Sequence, residues 1–414
     1  MQIDRRDFLK AAVGTLALGH LAPGLAAGPR TITAGAPALA PNAQVGSLYP
    51  LVQQIADHST FELSFLHGRF RNLKAWKRET RATVRGLLRY DPPTCDPKAA
   101  VLERVDCGDF VRERITFNTT PDLRVPAFVL VPKGTRKRRP AIVALHDHGA
   151  FFPWGKEKIV ATENEHPSLR QFKRAAYSGR SYASDLAARG YVVIAIDMFY
   201  WGERRMLRAD DPPAWREPAK MSAEDVSAFN QRSGAACPLV ATALFEAGVT
   251  WSGVMFMDDI RTVDYLASRP EVDPERIGCC GLSVGGFRSA HLAGLDARIK
   301  SAVVVGWMSA YGRMLKSHLT SIGFMKVVPG LYRYLDLPDV VSMNVPGGLM
   351  VINGTKDGLF PLDGVHEAFD KIAKVYAKAG VPERFSGVTY DGPHEFNAAM
   401  QEKAFAWLDK WLKP

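Results

Sequence analysis

The chain has 414 residues, 47% of them hydrophobic and 23% charged, an ordinary globular composition with enough length to bury a large core. Its 53 lysines and arginines exceed the 43 aspartates and glutamates by enough to give a formal charge of +10. The excess is scattered, so nucleic acid is not an expected partner. The densest basic runs, Arg136 to Arg139 and Arg69 to Arg89, read as a solvated turn and the polar face of a helix.

The segment Asp4-Arg5-Arg6-Asp7-Phe8-Leu9-Lys10 sets paired arginines directly before the apolar run Ala11 to Leu25, which ends in small residues at Ala26 and Ala27. This order of charge, apolar run and small-residue exit resembles a twin-arginine export signal over residues 1–27. It implies the twin-arginine export machinery as a partner and a periplasmic or secreted destination. The run is too short and too rich in Gly and Ala for a comfortable span of about 20 apolar residues. Cleavage near Ala27 is therefore expected, with no stable membrane anchor. Residues 28–50, rich in Ala, Pro and Gly, read as a tether.

Residues 51–110 read as an N-terminal helical extension. Phe61, Leu63, Phe65, Phe70, Leu73 and Trp76 fall at helical spacings among basic residues, and Asp91-Pro92-Pro93 then breaks the pattern. Strand signals begin at Arg112 to Asn118 and Arg124 to Val131, which alternate as a half-exposed antiparallel pair should. Continuous apolar runs follow at Ala141 to Leu145, Tyr191 to Ile196, Ile277 to Cys280, Ala302 to Val305 and Leu349 to Ile352. Helical stretches such as Ser181 to Arg189 and Val254 to Ser268 separate them, so residues 111–414 are expected to form one α/β domain whose mostly parallel sheet is covered on both faces. Residues 201–250 contain no clear strand and read either as an irregular surface loop with a few helical turns or as a substrate-shaping lid.

One strand ends in Gly281-Leu282-Ser283-Val284-Gly285, a G-x-S-x-G that leads into the helical run Phe287 to Leu295. Such a turn forces the serine into a strained conformation that lifts its hydroxyl above the sheet, while small neighbours let helix and strand approach. A serine hydroxyl is a weak nucleophile until an imidazole takes its proton, and the imidazole needs a carboxylate to fix its tautomer. Asp357 follows the strand Leu349 to Ile352 and is the expected acid; Asp363, beyond Pro361 at a helix start, suits a capping role. His394, after the strand Phe385 to Tyr390, is the expected base. The oxyanion donors should be the Val284 amide and the amide of Gly149 or Ala150 in the loop His146-Asp147-His148-Gly149-Ala150-Phe151.

No cofactor motif is present. His146 and His148 suggest a metal pair, yet no third ligand stands at a suitable spacing, and structural roles are expected for both. The five cysteines, Cys95, Cys107, Cys237, Cys279 and Cys280, form no even disulfide framework. Cys95 with Cys107 is the one pair that an oxidising compartment could bridge.

With these residues in place, the chain resembles the dienelactone hydrolase-like branch of the α/β-hydrolase superfamily, a branch related to acetyl xylan esterases and acyl-peptidases. The resemblance runs from about Arg112 to the C-terminus. It rests on Leu145 to Gly155, on Gly190 to Asp197 with Gly202-Glu203-Arg204, on Asp259 to Leu266, and on the segments around Ser283, Asp357 and His394. It implies hydrolysis of a small-molecule or carbohydrate ester through an acyl-enzyme, with no metal or organic cofactor.

There are two departures from the pattern. Dienelactone hydrolases resemble a shorter chain with a cysteine nucleophile, so dienelactone is not the expected substrate. The acetyl xylan esterase group resembles this chain in the glutamate after the base, here Glu395, but its Arg-Gly-Gln signature is absent. Gly202-Glu203-Arg204 stands near that place, and Arg204 is expected to pair with Glu395 or Asp197 and hold the His394 loop. The alternatives are an acyl-peptidase, whose usual propeller about 60 helical residues cannot build, a non-catalytic binding protein on the same scaffold, and acyl transfer to an acceptor other than water.

Overall fold

The computed structural model describes residues 40–134 and 137–414. The expected export signal, and the expected tether as far as residue 39, lie outside the described residues. Two helices come first, α1 (Tyr49–Asp57) and α2 (Leu73–Leu88), then strands β1 (Ala100–Asp106), β2 (Phe110–Thr120), β3 (Leu123–Pro132) and β4 (Arg139–Leu145). Next are α3 (Pro167–Tyr177), α4 (Tyr182–Ala188), β5 (Val192–Ile196), α5 (Ala223–Glu246), α6 (Trp251–Ser268) and β6 (Val272–Leu282). After α7 (Val284–Leu295) and β7 (Ile299–Val305), four short helices follow: α8 (Tyr311–Met314), α9 (Leu319–Ile322), α10 (Leu331–Tyr334) and α11 (Leu337–Ser342). The chain ends with β8 (Gly348–Gly354), α12 (Leu362–Lys378), β9 (Phe385–Tyr390) and α13 (Ala398–Leu412).

The nine strands form one sheet in the order β1-β2-β3-β5-β4-β6-β7-β8-β9. Pairings from β1 to β3, and of β3 with β5, are antiparallel; the rest are parallel. The continuous apolar runs have a direct explanation. Along β4, Ala141, Val143 and Leu145 point into one core with Phe256 and Phe287, whereas Ile142 and Ala144 point into a second with Tyr182 and Phe405. With both faces buried, alternation disappears from the sequence.

Three expectations need correction. The stretch 51–110 is not purely helical, because β1 occupies its last part as an edge strand with all but one residue exposed; having only one neighbour and little burial, it lacks an apolar signature. The 201–250 segment is built around a 24-residue helix, α5, opened by a capping box of Ser222 with Asp225 and containing Pro238. The basic face of α2 is not simply solvated. Arg81 Nε donates to the Gly294 carbonyl at 2.7 Å, Arg85 to the Leu295 carbonyl at 3.3 Å and Lys77 to the Val345 carbonyl at 2.5 Å. The two arginines thus meet carbonyls left open at the C-terminal end of α7, where cations are favoured.

All five cysteines are free, including Cys95 and Cys107, so the expected candidate bridge is not formed. Among the described residues no single helix is long and apolar enough to cross a membrane.

Candidate active site

β4 and β6 pair with Leu145 opposite Gly281, so the loop leaving β4 and the turn leaving β6 emerge side by side. In that turn Ser283 has φ 59° and ψ −122°, a conformation that costs an L-residue roughly 1–3 kcal/mol. Its surroundings impose it. The Ser283 amide donates to the Val305 carbonyl at 2.8 Å, and a Cβ on Gly285 would lie 2.0 Å from the Leu145 carbonyl oxygen. A glycine at 285 is what allows α7 to start this close to β4.

β8 and β9 are neighbours with Gly354 opposite Tyr390, which brings their outgoing loops together. His394 Nδ1 lies 2.6 Å from Asp357 Oδ2, and Asp357 Oδ1 accepts the Leu359 amide at 3.0 Å. With Nδ1–H donated to the carboxylate, Nε2 carries the lone pair. That nitrogen is buried and has no hydrogen-bond partner among the described residues.

The imidazole reaches back across the sheet. A Cβ on Gly306 would sit 2.9 Å from His394 Cε1, so the ring lies over the end of β7, the same end that holds the Ser283 amide. Ser283 and His394 line one cleft of about 400 Å³ together with Val284, Gly149 and Ala150, a size suited to a small organic ligand. Asp363 stands elsewhere, in the first turn of α12 and 3.7 Å from Arg313.

The loop after β4 is held from beneath by Lys158, which is fully buried. Its ammonium donates to the carbonyls of Asp147 at 3.0 Å and His148 at 2.9 Å, and Trp201 Nε1 donates to the same His148 carbonyl at 3.1 Å. A trans peptide points its N–H opposite its C=O, so pinning the His148 oxygen on this side turns the Gly149 amide to the other. Among the described residues neither the Gly149 nor the Val284 amide has an acceptor, whereas the Ala150 amide donates to His148 Nδ1 at 2.8 Å. Of the two amides expected as alternatives, Ala150 is therefore already engaged and Gly149 is open.

His146 is also buried, with Nδ1 on the Asp147 carbonyl at 2.9 Å and Nε2 accepting the Met198 amide at 3.0 Å. Burial first, then the charges of Lys158 and Arg288, keep its pKa well below the ordinary imidazole value. Burial and Lys326 do the same to His148.

Arg204 departs from expectation. It donates to Asp258 Oδ2 at 2.7 Å and to the backbone carbonyl of Asp197 at 3.2 Å, while Glu395 accepts from Asn397 at 3.1 Å. Arg204 follows β5, which β4, β6, β7 and β8 separate from β9, so it cannot brace the His394 loop. The Asp197 carboxylate is taken instead by Lys156 at 2.7 Å. Glu157 and Glu203, at 3.0 and 2.8 Å from the same ammonium, complete a ring of three carboxylates. Burial alone would lower the Lys156 pKa, but these carboxylates outweigh it and raise it. The cation that this ring can hold is thus supplied by the chain.

Sequence reasoning missed much of the cleft wall. It anticipated a contribution from residues 201–250, and α5 supplies Gly234 and Cys237. It overlooked Trp307 and the residues between Thr320 and Lys326 that also line the cleft.

Comparison with known proteins is consistent with this architecture. The Abhydrolase family matches residues 42–403. A Bacillus subtilis (strain 168) protein named as a hydrolase, YtaP, is 27% identical over 291 residues, covering 70% of this chain and 84% of that protein. A structure from Bacteroides fragilis NCTC 9343, described as that of an acetyl xylan esterase, aligns with a TM-score of 0.63 at 18% identity, over 83% of this chain and 81% of its own. A glucuronoyl esterase from Solibacter usitatus aligns with a TM-score of 0.54 at 14% identity, over 81% and 93%. At such identities the two structures speak for the fold, a mostly parallel nine-stranded sheet of the α/β-hydrolase type. Since the family match spans all nine strands and both loop clusters around the cleft, the chain belongs to the Abhydrolase family of hydrolases.

Proposed function

We propose that this hydrolase is an exported serine esterase that cleaves carboxylic esters through an acyl-enzyme. Ser283 attacks the ester carbonyl, His394 Nε2 takes the hydroxyl proton and returns it to the departing alcohol, and Asp357 holds the imidazole in the required tautomer. The amides of Val284 and Gly149 receive the developing oxyanion, fixed in place before the reaction begins. Water, deprotonated by His394, then releases the acid. The observation that carries this reading is the 2.6 Å contact of His394 Nδ1 with Asp357, which leaves Nε2 free in the cleft that Ser283 enters from a strained turn.

Carbohydrate esters are the substrates to try first. The two aligned structures are described as acetyl xylan and glucuronoyl esterases, which agrees with the resemblance seen in the sequence. Export rests on the paired Arg5 and Arg6 ahead of the apolar run.

The test is covalent labelling by a fluorophosphonate, alongside turnover of p-nitrophenyl acetate, acetylated sugars and peptide amides. Wild type should label and hydrolyse esters; Ser283→Ala should lose labelling and about four to six orders of magnitude in kcat. An unlabelled wild-type protein would point to a binding module, and preferential cleavage of the amides to an acyl-peptidase.

A further inference from the structure

Four lysines are buried among the described residues: Lys156, Lys158, Lys173 and Lys326. Three are answered by the protein. Lys156 has its ring of carboxylates, Lys158 has Asp147 and two carbonyls, and Lys173 meets Glu165, Ser181 and the Val160 carbonyl. Lys326 is not answered.

Only 9% of Lys326 is exposed, and it closes the helical turn Phe324–Lys326, which lines the same cleft as Ser283. Its ammonium stands 5.4 Å from the centre of the Trp307 ring, and among the described residues it has neither a carboxylate nor a carbonyl partner. Burial lowers its pKa to about 8, with Cys237 opposing, so at neutral pH it is still a cation. Among the described residues no acidic side chain lines the cleft; beside Lys326 its polar groups are imidazoles, hydroxyls, the Trp307 indole, backbone amides and one thiol.

Keeping a desolvated cation without a counterion is costly. An aromatic face offsets part of that cost, and an anion entering the cleft would offset more of it while the lysine stays charged.

We propose that Lys326 recognises a carboxylate on the substrate, so that the ester cleaved at Ser283 carries a second, free acid group within reach of the same cleft. This inference rests on Ser283 as the nucleophile. An ammonium–carboxylate hydrogen bond in a partly dry site is charge-assisted, hence short and strong, and would orient the ester as well as hold it.

The experiment uses two isosteric pairs, because the acid could sit on either side of the ester. On the acyl side, the 4-nitrophenyl monoester of succinic acid is compared with 4-nitrophenyl 4-methylpentanoate. On the alcohol side, 4-acetoxybenzoate is compared with 4-isopropylphenyl acetate.

In at least one pair, wild type should favour the anionic member by about tenfold or more in kcat/KM, and Lys326→Met should bring that ratio close to one. Lys326→Gln, which keeps a polar group, should do the same and serves if the methionine variant does not fold. A wild-type ratio near one in both pairs, or a preference that survives both substitutions, overturns the proposal. Equilibrium binding of the same four esters to Ser283→Ala, with and without Lys326→Met, reads the anion preference without turnover. A binding contrast with no fluorophosphonate labelling would thus sink the serine-esterase reading alone, and labelling with no contrast would sink the Lys326 assignment alone.

Discussion

Lys326 gives the cleft a pH signature of its own. Because burial lowers its pKa from 10.5 to about 8, the folded chain binds fewer protons than the unfolded chain between those values. The penalty for burying the charge is fully present below about pH 8 and fades as pH rises towards the unfolded pKa. The titratable side chains around it are Cys237 on α5, which burial pushes up to about 11, His148 on the β4 loop, kept neutral, and His394. The ratio of anionic to neutral ester hydrolysis should therefore fall as pH rises through about 8, and taking a ratio cancels what the two esters share. A ratio that stays level from pH 6 to 10 would show that the ammonium does not touch the anion. The same residue explains part of what the sequence concealed. A lysine in a string of mixed residues reads as surface, and only the tertiary placement of Trp307 and α5 around it makes it a cleft residue.

Among the elements, the loop after β4 depends on a single cation. Lys158 holds the carbonyls of Asp147 and His148 and, with Trp201 on the latter, sets which way the Gly149 amide faces. Lys158→Met should lower kcat by about 10- to 100-fold with little change in KM, since removing one preformed oxyanion donor elsewhere costs 10²–10³. Melting curves would report the accompanying loss of stability, and an unchanged kcat would mean that the amide is oriented without the ammonium.

The strands around this loop were legible for a physical reason. β4, β6, β7 and β8 are covered on both faces, and their continuous apolar runs can be read without knowing the fold. The turn at Ser283 was legible too, because its glycines answer steric demands that act within a few residues. β1 was not, since an exposed edge strand has no burial to shape its composition. Nor was α5 as one long helix, because Pro238 and a weakly amphipathic face interrupt the helical pattern. Partners for Arg204 were misread because they depend on strand order, which spacing along the chain does not encode.

For the molecule as a whole, a second electrostatic liability lies outside the residues that line the cleft. Lys156 pairs with Asp197, itself fully buried, and with Glu157 and Glu203, the last of which also meets Arg114 at 2.8 Å. Gly155 and Gly202 enclose that carboxylate so closely that a Cβ on either would lie within 2.4 Å of it. Lys156→Met leaves the carboxylates facing one another, and the expected cost is about 3–5 kcal/mol, the usual range for breaking a buried ion pair from one side. Urea titration would show this as a lower midpoint at constant slope; an unshifted midpoint would mean that solvent reaches the ring. The five unpaired thiols have a different consequence. No covalent crosslink is needed to close the nine-stranded sheet, so glutathione poses no obstacle to its formation. If the export proposed from Arg5 and Arg6 holds, a chain built this way needs no oxidising compartment to fold, which suits a twin-arginine route that takes cargo already folded.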